Sequence, residues 1–498
     1  MANLKSLVKD TAIYGLSSIV GRFLNYLLVP LYTSALAAAE GGYGVITHVY
    51  AYVAFVLVIL TFGMETTFFR FVNKEGERAG TVYTTALMMV GAVALLFFAG
   101  IMAFLPDVSS MMGYENHPEY ISMMAAVVAI DAFQAIPFAY LRYKKRPVKF
   151  ASLKLLFIVM NIALNLLYFV WLPALHEKYP EFIGQFYSPD VGVGYAFGIN
   201  LVCTASITLF FWKELFCVKW KFDRVLMRSM LKYTWPMLIL GIAGILNQTI
   251  DKMIFPMIYG DTYEGHVQLG IYGACVKIAM IMAMITQAFR YAYEPFVFSM
   301  SKDKDSKETY AIAMKYFIIF TLLAFLCVMA YLDILKHIIS PDYHEGLKVV
   351  PIEMAAEIMM GIYFNLSFWY KLIDKTIWGA WFSLAGCIVL VVVNIIFIPV
   401  YGYMACAWGG FACYATAMLL SYFVGQKKSP VKYPLKSIAI YICIAALFYT
   451  IMELTPSEWP LLLRLAINTV LLLMFVAHIV YHDLPLRPLL ERFRGRKK

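Results

Sequence analysis

The feature that most constrains this chain is the recurrence of apolar runs, each about 18–25 residues long, along its whole length. An α-helix needs about 20 apolar residues to cross the hydrocarbon core of a bilayer. The 498-residue chain is 62% hydrophobic and only 14% charged, whereas soluble domains carry about 25% charged residues. A soluble core of this length cannot bury so much apolar surface. The sequence therefore predicts an all-α polytopic membrane protein.

Fourteen of these runs are long enough to span a bilayer, which predicts about fourteen transmembrane helices. They cover residues 11–36, 43–64, 80–104, 119–141, 150–172, 191–212, 233–259, 270–294, 310–332, 350–370, 376–399, 404–425, 436–453 and 460–481. The first run follows Lys5 and Lys9, as a signal peptide would, but it is too long and lacks a small-residue cleavage site. We therefore expect it to be retained as the first helix.

The distribution of positive charge predicts the orientation of these helices. If the amino terminus is cytoplasmic, the inner segments carry 31 of the 41 Lys and Arg residues. The outer loops then carry only Lys178, Lys336 and Lys348. Because cytoplasmic loops of membrane proteins are enriched in Lys and Arg, this asymmetry predicts an even number of helices with both termini in the cytoplasm.

The same composition argues against several classes of protein. The longest hydrophilic stretches have about 20 residues, too few for a soluble catalytic domain, and the absence of a Gly-Lys pair excludes the phosphate-binding loop of ATPases. We expect no cofactor and no metal, because the eight cysteines form no CxxC and lie mostly within apolar runs. The formal net charge of +10 indicates orientation and contact with anionic lipids rather than nucleic-acid binding.

An internal repeat relates helices 1 and 2 to helices 7 and 8. The stretch NYLLVPLYTSALAAAEGGYG begins at Asn25, and DKMIFPMIYGDTYEGHVQLGIYG begins at Asp251. Each places a proline five residues after its first polar residue, and each places a glycine–tyrosine element at the start of the next helix. In this register His48 corresponds to Lys277, whereas Arg22 has no charged counterpart.

The repeat unit has six helices, and because six is even, both copies begin on the same side of the membrane. This predicts two pseudo-symmetric six-helix lobes around a central cavity. The predicted boundaries are 1–212 for the N-terminal lobe, 213–232 for a linker, 233–425 for the C-terminal lobe, 426–481 for two extra helices and 482–498 for a basic cytoplasmic tail. The spacing of basic residues in the linker predicts a surface-lying amphipathic helix, with a plain charged loop as the alternative. The tail is expected to bind anionic lipids.

Several stretches carry a family resemblance. They are GRFLNYLLVPLY, GMETTFFRFV, YTWPMLILGIAGILNQTIDKMIF, GIYGACVKIA and AFRYAYEPF. They resemble the polysaccharide transport family of bacterial flippases, which handles O-antigen or capsule units and belongs to the multidrug/oligosaccharidyl-lipid/polysaccharide exporter superfamily. The resemblance covers essentially the whole chain, including the count of fourteen helices. It implies that a polyprenyl-diphosphate-linked oligosaccharide moves from the cytoplasmic to the outer leaflet by alternating access.

Three cations inside the predicted helices are the candidate ligands for a diphosphate. Arg22, Lys277 and Arg290 are costly to place in a bilayer unless they face protein or water. A guanidinium suits phosphate because its fork donates several charge-assisted hydrogen bonds. Asn25 shares a helix face with Arg22, and Gln287 shares one with Arg290. Two alternatives stay open: Arg22 pairs with an acidic residue of helix 4, or Arg290 extends to the cytoplasmic interface.

Two acidic residues inside the predicted helices are candidates for ion coupling. Asp131 in helix 4 and Asp251 in helix 7 can bind a proton or a sodium ion. They can equally be neutralised by Arg22 or Lys252, in which case they only balance charge within the membrane.

A polar stripe in helix 5 is the remaining candidate feature. Lys154, Asn161 and Asn165 are spaced so that they share one helix face. Amides on such a face can hydrogen-bond sugar hydroxyls in a cavity, and they can equally hold neighbouring helices together.

Together with these patterns, the resemblance implies a flippase, not an enzyme, in the bacterial plasma membrane, driven by the membrane potential, by cation antiport or by both. One alternative is an exporter of drugs or organic cations with the same fold, which the predicted cavity cations disfavour. The other is a membrane-embedded sugar polymerase or ligase, which the short outer loops disfavour. The expected partners are the lipid-linked oligosaccharide and anionic lipids, with the glycan polymerase machinery as a further candidate. We expect a monomer and no nucleic-acid partner.

Overall fold

The structure is a computed structural model that describes residues 27–74, 78–216, 218–260, 262–300, 306–373, 375–456 and 458–483. Within these ranges every regular element is helical. The predicted all-α membrane architecture is therefore confirmed.

Helices follow one another along both halves of the chain. In the N-terminal half they are α1 (Leu28–Ala35), α2 (Gly42–Thr61), α3 (Met64–Lys74), α4 (Ala79–Ala103), α5 (Leu105–Met111), α6 (Pro118–Tyr143), α7 (Pro147–Leu166), α8 (Leu172–Lys178), α9 (Pro180–Ile183), α10 (Gly194–Leu209) and α11 (Trp212–Phe216). In the C-terminal half they are α12 (Arg224–Tyr259), α13 (Thr262–Met300), α14 (Ser306–Ala330), α15 (Leu332–Leu335), α16 (Val350–Leu366), α17 (Phe368–Leu372), α18 (Ile377–Tyr401), α19 (Tyr403–Lys428), α20 (Leu435–Leu454) and α21 (Leu461–His482). A π-helical segment, Leu167–Trp171, joins α7 to α8.

Twelve helical stretches of the described residues are long and apolar enough to cross a membrane. They correspond to twelve of the fourteen predicted spans. Predicted span 191–212 contains a shorter apolar helix, α10, of 16 residues. Most of the first predicted span, including Arg22 and Asn25, lies outside the described residues, as does nearly all of the basic tail.

The predicted linker, 213–232, differs from the expected surface helix. Its second half forms the first turns of α12, which continues without a break to Tyr259. The helix begins at Arg224 because the carboxylate of Asp223 accepts hydrogen bonds from the backbone N–H groups of Val225 and Leu226, at 2.9 and 3.0 Å. The Leu226 N–H is the main reason that the pKa of Asp223 is lowered from its ordinary value. Basic residues of the linker thus extend a membrane helix instead of forming a separate one.

Helix packing divides the chain into two compact units. Unit 1 consists of Met1–Ala274 and Cys387–Gly409, and unit 2 consists of Cys275–Gly386 and Gly410–Lys498. The divisions fall inside α13, α18 and α19. The lobe boundaries proposed from the repeat stay a prediction, because this division follows packing and not sequence similarity.

The core of unit 1 surrounds α6, which packs against α2, α4 and α10. Aromatic side chains fill the layer between α4 and α6, where Tyr83 stacks on Tyr140 with ring centroids 4.1 Å apart. Thr67 and Thr234 add a buried hydroxyl pair at 2.7 Å between α3 and α12. Polar contacts of this kind hold membrane helices together, since lipid provides no hydrophobic force between them.

In unit 2 the last two helices, α20 and α21, pack on α14. One ion pair joins Arg464 of α21 to Asp333, which follows α14, at 2.6 Å. A second joins Lys315 of α14 to Asp483, which follows α21. Between them, the Asn468 side chain donates to the backbone oxygen of Ala330 at 3.0 Å. These contacts fix α21, one of the two helices outside the predicted repeat, to the first half of α14 and to the residues at its C-terminal end.

Candidate functional site

Asn161 and Asn165, the amides of the predicted fifth span, belong to α7 and lie between helices of unit 1. The Tyr32 hydroxyl of α1 donates to Oδ1 of Asn165 at 2.8 Å, and Nδ2 of Asn165 donates to the backbone oxygen of Asn161 at 2.7 Å. Both amide side chains are buried, with Asn165 fully so. These contacts join α1 to α7, so the structure favours the packing interpretation of Asn161 and Asn165 over a sugar-binding one.

A second set of polar contacts in unit 1 was missed by sequence reasoning. Nδ2 of Asn200 in α10 donates to the hydroxyl of Tyr50 in α2. Nε2 of Gln134 in α6 donates to the backbone oxygen of Thr204, also in α10, at 2.8 Å. The spacing of Asn200 and Thr204, four residues apart in an apolar helix, is the sequence signal that points to such contacts.

Asp131 is close enough to a lysine of its own unit for an electrostatic interaction. Asp131 in α6 and Lys154 in α7 interact electrostatically. The ammonium nitrogen of Lys154 also lies 4.1 Å from the centre of the Phe138 ring, a cation–π contact. The predicted alternative partner, Arg22, is outside the described residues. Charge balance at Asp131 therefore involves a lysine that the sequence had placed in the polar stripe.

Asp251 is paired with its neighbour in the chain. Its Oδ2 accepts from Nζ of Lys252 at 2.8 Å and from the hydroxyl of Tyr272 at 3.1 Å. Its Oδ1 is buried and has no hydrogen-bond partner among the described residues. Lys252 therefore neutralises the carboxylate, which is one of the two alternatives predicted for Asp251. Its second oxygen, Oδ1, remains without a described hydrogen-bond partner.

The two glycine elements of the repeat meet each other in unit 1, where α2 crosses the first turns of α13. A Cβ on Gly44 would overlap the backbone oxygen of His266 and lie 3.0 Å from the backbone nitrogen of Gly270. A Cβ on Gly273 would overlap the side chain of Thr47. Only glycine allows this close approach. We call this contact the glycine crossing.

A chain of hydrogen bonds lies at the glycine crossing. Nε2 of His48 lies 3.1 Å from the backbone oxygen of Met253, which can only accept, so this nitrogen carries the proton. Nδ1 of His48 must then accept from the Tyr114 hydroxyl at 2.7 Å. The same hydroxyl lies 3.0 Å from Nε2 of His266 and accepts from it. Both histidines and Tyr114 are buried, so direct hydrogen bonds, including one to the backbone of α12, join α2, α12, α13 and the loop after α5.

In unit 2, the two candidate cations of the eighth predicted span lie far apart. Lys277 and Arg290 both lie on α13, thirteen residues or about 20 Å apart along the helix axis. Lys277 and Gln287 are half-buried, whereas Arg290 is exposed. Arg290 therefore belongs to a different part of the helix from Lys277.

Arg290 lines a narrow cleft formed by two helical stripes. The stripe on α13 consists of Thr286, Phe289, Arg290 and Tyr293, and the stripe on α16 and α17 consists of Gly361, Phe364, Asn365, Phe368 and Lys371. Each stripe has the spacing of a single helix face. Phe317 of α14 completes the lining. We call this feature the α13–α16 cleft.

Aromatic rings form the walls of the α13–α16 cleft. The guanidinium of Arg290 lies 4.6 Å from the centre of the Phe364 ring, and Nζ of Lys371 lies 5.0 Å from that of Phe368. Cation–π contacts of this kind orient a charged group without neutralising it. The predicted spans leave Lys371 in a loop, but in the structure it lies in α17. Its spacing of six residues from Asn365, with Phe368 midway, continues the same helix face, and this spacing is the sequence signal that points to its place in the cleft.

Comparisons with known proteins give a family and a fold. A family model described as "Polysaccharide biosynthesis protein" matches residues 7–301. No curated protein sequence matches the chain. Among solved structures, the lipid II flippase MurJ in an inward closed conformation is similar with a TM-score of 0.70 at 14% identity, over 95% of this chain and 99% of that one.

Two transporter structures share the fold less closely. An inward-facing multidrug resistance MATE family transporter of the MOP superfamily has a TM-score of 0.62 at 15% identity, over 81% of this chain and 93% of that one. A Vibrio cholerae MATE transporter has a TM-score of 0.56 at 12% identity, over 85% of this chain and 96% of that one. At these identities the likeness shows a common fold.

Proposed function

The chain belongs to the polysaccharide biosynthesis protein family, and from this premise we propose that it is a flippase for a polyprenyl-diphosphate-linked oligosaccharide. The substrate moves from the cytoplasmic to the outer leaflet of the bacterial plasma membrane, and both termini of the protein are cytoplasmic. The fold, shared with the lipid II flippase MurJ and with MATE transporters, supports alternating access.

The observation that carries the proposal is the α13–α16 cleft. It places two cations, Arg290 and Lys371, against aromatic rings near the end of α13 that the charge distribution predicts to be cytoplasmic. A diphosphate needs cationic hydrogen-bond donors, and the aromatic rings orient the two cations. A cleft of this chemistry suits the headgroup of the substrate at the side from which it is loaded.

The membrane potential is a sufficient driving force for this direction of transport. One charge crossing 100 mV is worth about 2.3 kcal/mol, so a headgroup with about two negative charges gains roughly 4–5 kcal/mol on leaving a negative interior. Cation antiport remains a second source, with Asp131 and Asp251 as its candidate sites. We assign Arg22 and Lys277 to further contacts with the anionic headgroup, with Asn25 and Gln287 supporting them.

The second candidate function is export of organic cations, which the shared fold of MATE transporters favours. Such a substrate needs acidic residues that are available to it. In unit 1, Asp251 is paired with Lys252, and Asp131 interacts with Lys154. The ion pair at Asp251 favours the anionic substrate.

The test is transport in proteoliposomes with a fluorescent polyprenyl-diphosphate oligosaccharide, whose transfer is measured by a membrane-impermeant quencher. We expect transfer with the native protein and none with heat-denatured protein. The variant R290Q is expected to slow transfer about tenfold or more, since it removes a charge-assisted contact. The control K178Q alters an exposed cation at the end of α8 and is expected to leave the rate unchanged. Transport of an organic cation without transfer of the lipid would contradict the proposal.

A further inference from the structure

The α13–α16 cleft contains two buried hydrogen-bonding groups that no described residue satisfies. They are Oγ1 of Thr286 and Nδ2 of Asn365. Threonines in membrane helices usually donate to a backbone oxygen one turn earlier, as Thr321 of α14 does to Phe317 at 3.0 Å. Thr286 is only 3% exposed and makes no such bond. Buried polar groups without partners are costly, so their presence at one place indicates a ligand.

The chemistry of the lining defines the missing partner. An amide nitrogen, a guanidinium and an ammonium can only donate hydrogen bonds, and a hydroxyl can also donate. Among the described residues that line the cleft, none is acidic. The nearest acidic residue on α16, Glu357, is eight residues before Asn365, about 12 Å along the axis. The two unsatisfied groups, Oγ1 of Thr286 and Nδ2 of Asn365, call for a hydrogen-bond acceptor, and the two cations of the lining suit one with negative charge.

The size of the cleft limits how much of that partner can enter. The enclosed cavity has a volume of about 10 Å³, which is room for about one water-sized atom. Gly361 helps to set this size, because a Cβ there would overlap the Phe317 ring and lie 3.0 Å from Cγ2 of Thr286. A sugar ring does not fit, whereas a single oxygen atom does.

We propose that the α13–α16 cleft is a subsite for one phosphate group of the substrate. One phosphate oxygen occupies the cavity and accepts hydrogen bonds from Thr286 and Asn365. Arg290 and Lys371 contact the remaining oxygens at the mouth, where Phe364 positions the guanidinium. The identity of the phosphate as part of a polyprenyl diphosphate rests on the proposed function, whereas the presence of a phosphate subsite does not.

The test compares two variants that remove the buried donors while keeping side-chain shape, T286V and N365L. Binding to the purified full-length protein in nanodiscs of neutral lipid is measured with farnesyl diphosphate, farnesol and inorganic diphosphate. Thermal unfolding of each ligand-free variant is measured in parallel. The matched control is T321V, which changes a buried threonine of the same unit whose hydroxyl already has backbone partners.

The expected result has two parts. Each donor variant weakens binding of farnesyl diphosphate about tenfold, the effect of losing a hydrogen bond to a charged group, and T321V does not. In the absence of ligand, T286V and N365L unfold at the same temperature as the native protein or a higher one, because each removes an unsatisfied polar group. Unchanged affinity together with a lower unfolding temperature would overturn the proposal, since the donors would then hold only a structural water.

Three comparisons identify the source of the phosphate. Binding of farnesyl diphosphate but not farnesol assigns the affinity to the anion, and binding of inorganic diphosphate shows that the isoprenoid is not required. Competition by vesicles of phosphatidylglycerol, lost in T286V, would show that membrane lipids use the same subsite and would overturn its assignment to the transported substrate. Transport by the native protein with unchanged affinity in both variants would overturn the subsite and leave the function standing. Weakened binding by both variants, without any transport by the native protein, would support the subsite and overturn the proposed function.

Discussion

The glycine crossing of unit 1 and the α13–α16 cleft of unit 2 differ in whether their buried polar groups have hydrogen-bond partners. At the crossing, both ring nitrogens of His48 are bonded, and Tyr114 serves two histidines at once. In the cleft, Thr286 and Asn365 each leave a buried polar atom without a described partner. Buried groups that satisfy each other hold helices together, whereas buried groups that do not are available to a ligand. The comparison contrasts contacts that hold helices together with the donors of the proposed phosphate subsite.

The largest effect is expected from Gly44→Ala at the glycine crossing. The added Cβ meets the backbone oxygen of His266, and a backbone atom in packed helices cannot move aside cheaply. We expect a loss of about 3 kcal/mol or more in the free energy of unfolding, measured by thermal unfolding in detergent. The matched control is Gly100→Ala in α4, where a Cβ meets nothing within 4 Å and stability should not fall. Equal stability of the two variants would show that the crossing is not tightly packed.

A smaller effect is expected from Tyr114→Phe. The substitution keeps the ring but removes the hydroxyl that accepts from His266 and donates to His48. Leaving buried polar atoms unpaired costs about 2 kcal/mol, seen as a lower unfolding temperature. The comparison variant Tyr120→Phe, which changes a buried ring packed edge-on against Tyr114, should cost less. If both variants unfold alike, the hydrogen-bond chain contributes nothing.

The smallest loss of stability, and a large loss of function, is expected from Gly361→Ala in the cleft. Its Cβ would meet the Phe317 ring, a side chain and not a backbone atom as at Gly44, so the cost in stability should be about 1–2 kcal/mol. The same Cβ fills the cavity next to Thr286, so binding of farnesyl diphosphate should be lost. Retained binding would mean that the cavity is not where the phosphate oxygen lies, and the contrast between the two regions would then fail.

Helix positions could be predicted closely from the sequence because the bilayer fixes their length. The structure has α4 at Ala79–Ala103 where the apolar run predicted 80–104, and α21 at Leu461–His482 where it predicted 460–481. The structure of the linker was harder to predict, because the spacing of its basic residues fits a separate surface helix and equally the first turns of α12. In the structure the helix capped by Asp223 continues through Pro236 to Tyr259, which no signal in the sequence indicates.

The partner of a buried polar side chain was predictable only where the two residues are near in the chain. The pairing of Asp251 with Lys252 was among the expected alternatives, and the neutral pairing of Asn165 with a distant tyrosine of α1 was not. Thr286 and Asn365 look like ordinary helix residues in the sequence. Whether a buried donor has an acceptor depends on contacts between helices that no local pattern encodes.

The ion pairs that fix α21 to α14 also set an order of events during synthesis. Lys315 is separated from Asp483 by 168 residues of chain. At about 5–20 residues per second, roughly 10–30 s pass between the translation of the two residues. Until then the lysine has no counter-charge from α21, although its helix already carries it into the bilayer. Completion of the last helix is thus the step of synthesis that supplies the counter-charge of Lys315.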